Sequence, residues 1–246
     1  MKLIASTLLV TLGIVSATWA QTPSPTAAAS SPAAATSTAA NTDLYHVHFA
    51  KSATGKAAEH ADMLKKQDPK SPMPGHFIVF RHMDGDAWDY CTIEHLGTKA
   101  TLEANRPLPP TSQMALGDWH TDTFVTGPSW TEFAKQLGLD DPSKSTASAY
   151  VVSMYRPASG QREGLDKFLR EPPDSAVDTS SGNIVLQHME GAAWSYVAVA
   201  RYNSWADFGK NETNSVAQMN KKEGGWFKLR GLVSFHTDTL CDRIAP

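Results

Sequence analysis

One block of this chain returns later in register, and no other feature limits the possible folds as strongly. His82-Met83-Asp84-Gly85-Asp86-Ala87-Trp88-Asp89-Tyr90 recurs as His188-Met189-Glu190-Gly191-Ala192-Ala193-Trp194-Ser195-Tyr196, 106 residues on (188 − 82). A second block follows each copy: Trp119-His120-Thr121-Asp122-Thr123-Phe124 matches Phe235-His236-Thr237-Asp238-Thr239-Leu240. Two matched blocks in the same order imply an internal duplication. The offset grows to 116 (236 − 120), so the second copy carries extra residues between its blocks. The stretch Lys221-Lys222-Glu223-Gly224-Gly225 is a natural place for part of them.

Side-chain periodicity gives both copies the same element order. Alternating β-formers predict strands over 44–49, 77–83, 87–96 and 118–125, with a turn at 84–86. Helical spacing of Ala57, Ala58, Ala61 and Leu64 predicts a helix over 55–67, capped by Thr54 and ended by Pro69, Pro72 and Pro74. Another helix is expected to begin at 99–104. The second copy reads as strands over 150–155, 183–189, 194–202 and 232–240. Its helices are expected over 162–170 and from a Ser204 cap toward Lys222. Between the copies, 130–137 reads as a short helix.

The order β-α-β-β-α-β, met twice, is an α+β pattern of the split βαβ, ferredoxin-like kind. A single such sheet covers one face with its helices and leaves the other in need of cover, which a second copy can supply. In this order and duplication the chain resembles the dimeric α/β-barrel superfamily, in a tandem form, over 44–126 and 149–242. The resemblance implies a single-chain, pseudo-dimeric barrel of two ferredoxin-like repeats, 44–126 and 149–246, joined by a connector at 127–148. The superfamily includes small monooxygenases, haem-degrading enzymes and haem-dependent chlorite dismutases. None of their site patterns matches this chain residue by residue.

The front end reads differently. Residues 1–20 have a basic start at Lys2, an apolar stretch and a Thr18-Trp19-Ala20 cleavage pattern, the marks of a secretory signal peptide. Residues 21–43 are almost all Ala, Ser, Thr and Pro, which favours a disordered tether. The expectation is a periplasmic or extracellular protein with no membrane attachment after cleavage. The formal net charge of −3 and the scatter of the basic residues argue against a nucleic-acid partner. An oxidising compartment would permit a disulfide between Cys91 and Cys241, with two buried thiols as the alternative.

Nine histidines are present, and several fall at matched positions. His46 and His48 share one strand face because side chains alternate with period two. His120 with Asp122, and His236 with Asp238, form two His-x-Asp pairs. His82 and His188 end the second strand of each copy. If that strand of one copy adjoins the last strand of the other, His82 would approach His236 and Asp238, and His188 would approach His120 and Asp122. Trp88 and Trp194 could stack a flat ligand, although aromatic residues on strands commonly form core. Imidazole and carboxylate suit zinc, copper or iron, or a general base. No metal or haem signature is present, so the sequence itself requires no cofactor. The reading that follows is an exported protein binding a small apolar or aromatic molecule between its halves, with monooxygenase-like chemistry conceivable. Its rival is a non-catalytic envelope or interaction module.

Overall fold

A computed structural model describes residues 41–66, 74–97, 114–141 and 148–246. The expected signal peptide, nearly all of the tether and the helix expected at 99–104 lie outside these residues. Eight strands carry the fold: β1 (Asp43–Ser52), β2 (Phe77–Asp84), β3 (Tyr90–Gly97), β4 (Gly117–Gly127), β5 (Ala149–Pro157), β6 (Gly182–Glu190), β7 (Tyr196–Tyr202) and β8 (Val233–Ala245). Among the described residues five helices accompany them: α1 (Ala57–Leu64), α2 (Trp130–Leu137), α3 (Arg162–Arg170), α4 (Trp205–Asn220) and α5 (Gly225–Arg230). The strands close into one antiparallel barrel in the order β1-β3-β2-β8-β5-β7-β6-β4. Read from β4, the first half runs β4-β1-β3-β2; read from β8, the second runs β8-β5-β7-β6. Two seams, β2 with β8 and β4 with β6, join the halves. Among the described residues no helix is long and apolar enough to cross a membrane.

Alternation sorts each strand into an inner and an outer face. Tyr45, Val47 and Phe49 of β1 point inward and are buried, while His46 and His48 point outward. The interior is filled by one apolar cluster that includes Phe80, Ile93, Val125, Tyr150, Val152, Leu186 and Val199. Helix α2 adds Phe133 and Leu137 to it. The Ser129 hydroxyl caps α2 by accepting from Glu132 N, and Gly138 ends the helix at φ 68°. Tyr45 and Tyr150 donate to the carbonyls of Pro128 and Leu137, tying α2 to both halves. Trp88 and Trp194 belong to this packed interior, with Phe49 ring-to-ring with both, 5.3 Å and 6.5 Å away. The two halves thus share one packed cluster of side chains across the barrel interior.

Two expectations change. Thr54 does not cap α1; Lys56 holds that place without a side-chain bond, after a turn through Gly55 at φ 78°. Cys91 and Cys241 are free, buried thiols. Cys91 lies opposite Phe80, and Cys241 opposite His82, on the two sides of β2. Two strand spacings amount to roughly 9.5 Å, beyond the Cα separation of about 7 Å that a disulfide tolerates. Instead the Cys241 thiol donates to Thr239 O.

Both seams depend on a glycine in the turn after the second strand. A Cβ on Gly85 would lie 2.4 Å from the carbonyl oxygen of Asp238, and φ there is +127°. A Cβ on Gly191 would lie 2.5 Å from the carbonyl oxygen of Asp122, at φ +102°. Each turn thus presses against the backbone of the opposite half's His-x-Asp segment. Gly85→Ala and Gly191→Ala are each expected to lower unfolding free energy by about 2 kcal/mol or more through strain and seam opening. Gly209→Ala, in α4 with nothing near its added carbon, should gain about 0.5–1 kcal/mol. Chemical denaturation measures all three, and equal effects at Gly85 and Gly209 would remove the seam argument.

Candidate functional site

The outer face of β1, β3 and β4 carries an unusual concentration of titratable groups. Register places Glu94 of β3 and Phe124 of β4 on either side of His46. It places Thr92 and Asp122 on either side of His48. His46 Nδ1 lies 2.8 Å from Glu94 Oε2, and its Nε2 lies 2.8 Å from Asp122 Oδ1. The same Oδ1 is 2.8 Å from His48 Nδ1, and Asp122 Oδ2 is 3.3 Å from His120 Nε2. The His48 and His120 rings lie 5.3 Å apart.

Helix α1 adds a sixth group. His60 is buried, 3.1 Å from the Ser52 hydroxyl through Nδ1, and edge-on to Tyr90. Burial and the neighbouring His48 lower its pKa, so this imidazole is neutral.

Protonation follows from these partners. Hydrogen bonds from His46 and His48 hold the Asp122 carboxyl well below the usual carboxylate range, against the burial that would raise it. An ionised carboxylate only accepts, so His46 Nε2 and His48 Nδ1 both carry hydrogens. Burial alone would lower the pKa of His46, but hydrogen bonds to Asp122 and Glu94, with their charges, raise it to about 9. His46 is accordingly an imidazolium clamped between two acids. His48, with Nδ1 committed to Asp122, leaves Nε2 without a hydrogen-bond partner among the described residues.

The matching face of the second half is plainer. His236 Nε2 lies 2.9 Å from Asp238 Oδ1, which also accepts from the Ser153 hydroxyl at 2.6 Å. Register puts Val151 between Leu240 and Ala200, where the first half has His46 between Phe124 and Glu94. Outside the sheet, Tyr155, Val185, Tyr196 and Ala198 pack against Leu165 and Leu169 of α3.

Of the residues singled out in the sequence, His46, His48, His120 and Asp122 come together, and His236 and Asp238 form a separate pair. The expected cross-half histidine pairs do not form, although the strands adjoin as anticipated. The register sets His82 opposite Cys241 and His188 opposite Val125, both facing inward, whereas the His-x-Asp pairs face outward. His82 packs edge-on to Trp88, and its Nε2 is buried without a hydrogen-bond partner among the described residues. His188 Nε2 accepts from Ala192 N within its own hairpin, beside Trp194. Glu94 and His60 were not expected here. The 106-residue offset did hold a signal for Glu94, since it maps this acid onto Ala200, the same one-sided pattern as His46 and His48.

The charge state of His46 has a testable consequence. Folding raises its pKa from 6.5 to about 9, so its stabilising effect is complete below the unfolded value and is lost as pH rises through about 9. The stability difference between wild type and His46→Gln should shrink by about 3 kcal/mol between about pH 6 and about pH 10. Urea denaturation across that range, on chelator-treated protein, reads it. A difference independent of pH would mean that folding does not raise the pKa of His46.

No protein-family model matches this chain, and no curated protein does. Among solved structures it is similar to an anthrone oxidase-like protein, with TM-score 0.52 and 11% identity over 82% of this chain and 92% of that one. A protein from Lactobacillus acidophilus NCFM, provisionally named a monooxygenase, gives TM-score 0.47 and 8% identity over 82% and 94%. At 11% identity the first of these speaks for the fold alone. That fold is a mixed α+β, eight-stranded antiparallel barrel.

Proposed function

We propose that the protein is an exported, small-molecule-binding barrel of two ferredoxin-like repeats, whose first repeat carries out oxidative, monooxygenase-like chemistry on its outer face. The observation that carries this reading is the inequality of the two halves. His46, His48 and Glu94 stand where the second half has Val151, Ser153 and Ala200, on strands with the same neighbours. A role confined to completing the fold would need no such cluster on one side only.

Each residue has a stated task. Glu94 and Asp122 fix the His46 cation, and Asp122 fixes the ring of His48, directing Nε2 away from the carboxylate. That nitrogen is the atom placed to exchange a proton with a weakly acidic phenol or activated C–H group of an aromatic substrate. Phe124, 5.5 Å ring-to-ring from His46, supplies apolar surface beside it. An anthrone, the compound in the neighbour's name, has such an activated CH2. Dioxygen would be the oxidant: one of its atoms becomes the new carbonyl oxygen, and the other leaves as water with the two hydrogens. The packed interior speaks for the rival reading, a non-catalytic module in which both repeats serve only to close the barrel.

Oxygen uptake with anthrone and simple phenols separates the two. The wild type should exceed the protein-free rate, and His48→Gln should lose roughly 10²-fold or more of that excess. His236→Gln, in the second half, should stay within about twofold of wild type. A wild-type rate equal to the protein-free rate would favour the module, and full activity in His48→Gln would dismiss this face as the reaction centre.

A further inference from the structure

Three side chains on the first half's outer face offer ligand atoms to a common point. His46 and His48 stand at i and i+2 on β1, and Asp122 lies opposite His48 on β4. One donor atom from each of the three lies within 4.8 Å of the others. Asp122 Oδ1 is 2.8 Å from both His46 Nε2 and His48 Nδ1. Atoms bound to one ion at about 2.1 Å, on adjacent corners of an octahedron, are about 3 Å apart. The two imidazole–carboxylate spacings already approach that value, and an ion entering there releases to solvent the protons that His46 Nε2 and His48 Nδ1 direct at Asp122.

The surroundings have the character of a metal site as well. The far nitrogen of His46 is held by Glu94, the carboxylate–imidazole arrangement that orients a metal-bound histidine. Glu94 and Asp122 together supply the two negative charges that a divalent cation balances. Side-chain exposures of 12% for His46 and 22% for His48 leave the ring atoms partly reachable from one side.

A hydrogen-bonding role alone does not call for this set. At the matching place in the second half, Asp238 is satisfied by one serine and one histidine. The first half keeps that carboxylate and adds an imidazole at each of two successive outward positions of β1, with an acid behind one of them.

We propose that His46, His48 and Asp122 form a binding site for one divalent first-row transition-metal ion, with Glu94 as the positioning residue for His46. Two imidazoles and one carboxylate on one side of an ion leave its other positions open, the donor set suited to iron(II) and shared by cobalt(II) and zinc(II). His120, 3.3 Å from the second oxygen of Asp122, steadies the carboxylate from outside.

Cobalt(II) is the probe. Untagged protein, stripped with chelator and dialysed, is titrated by calorimetry and visible absorption. One equivalent should bind with coordinated-cobalt absorption. His46→Gln, His48→Gln and Asp122→Asn should each weaken binding by about 100-fold or more, and Glu94→Gln by about 10–100-fold. His236→Gln should change it by less than about twofold. Circular dichroism and thermal unfolding verify that each variant folds. If a variant does not, cobalt(II) broadening of ring-proton NMR signals in the wild type decides. Broadening centred on His46 and His48 upholds the site, and broadening centred on His188 or His236 overturns it. Wild-type affinity no tighter than that of folded His46→Gln also overturns it. The site is shared with the proposed reaction, but binding is read without turnover. A protein that binds cobalt(II) as described and takes up no oxygen upholds this site and overturns the oxidative reading; one that takes up oxygen and binds no metal does the reverse.

Discussion

Barrel closure rests on two close backbone approaches. An open eight-stranded sheet would present unpaired N–H and C=O groups along its edges, and closure is the arrangement that removes edges altogether. Here closure takes place at β2–β8 and β4–β6, and the turn after the second strand must lie almost on the neighbouring backbone. Gly85 and Gly191 make that possible by having no side chain and by adopting positive φ. The aspartates whose carbonyls they approach, Asp238 and Asp122, are those of the two His-x-Asp pairs. The seam thus fixes the backbone of a polar pair in each half while its side chains face outward.

Inside the closed barrel, side chains from both halves form one packed cluster. Phe49, Trp88 and Trp194 meet there, Phe133 and Leu137 enter from α2, and the thiols of Cys91 and Cys241 lie buried among them. The outer faces of the strands carry the titratable side chains of the two His-x-Asp segments. In the second half that face is covered by α3 through Leu165 and Leu169. In the first half α1 brings His60 to the same kind of face, edge-on to the buried Tyr90 that matches Tyr196.

Much of the fold was legible because local and global signals agree. Helix α2 spans the expected 130–137, and α3 likewise spans Arg162–Arg170. The adjacency of β2 with β8, and of β4 with β6, is the arrangement on which the sequence reading made its cross-half pairs conditional. What was not legible is register. A strand pair shifted by one residue turns every side chain to the other face, and nothing local to His82 or His188 says which face they take. The same ignorance hid Glu94, whose nearness to His46 comes from the β1–β3 pairing and not from any spacing along the chain. Periodicity did identify His46 and His48 as sharing a face, because the apolar Tyr45, Val47 and Phe49 alternate with them.

The energetics of the two outer faces argue that the first was not shaped for stability. Placing an imidazolium between two carboxylates at a site where His46 is only 12% exposed takes three charged groups partly out of water. Their mutual attraction repays that cost only when every polar atom is paired. Replacing such a network by well-packed apolar residues is often neutral or stabilising. The second half has the apolar solution, with Val151 and Ala200 at the matching positions of a sheet with the same neighbour order. The fold therefore tolerates both arrangements, and the costlier one stands on one side only. Stability alone does not account for that choice, and the proposed ligand or ion would supply the missing reason for a charged face with a directed imidazole nitrogen.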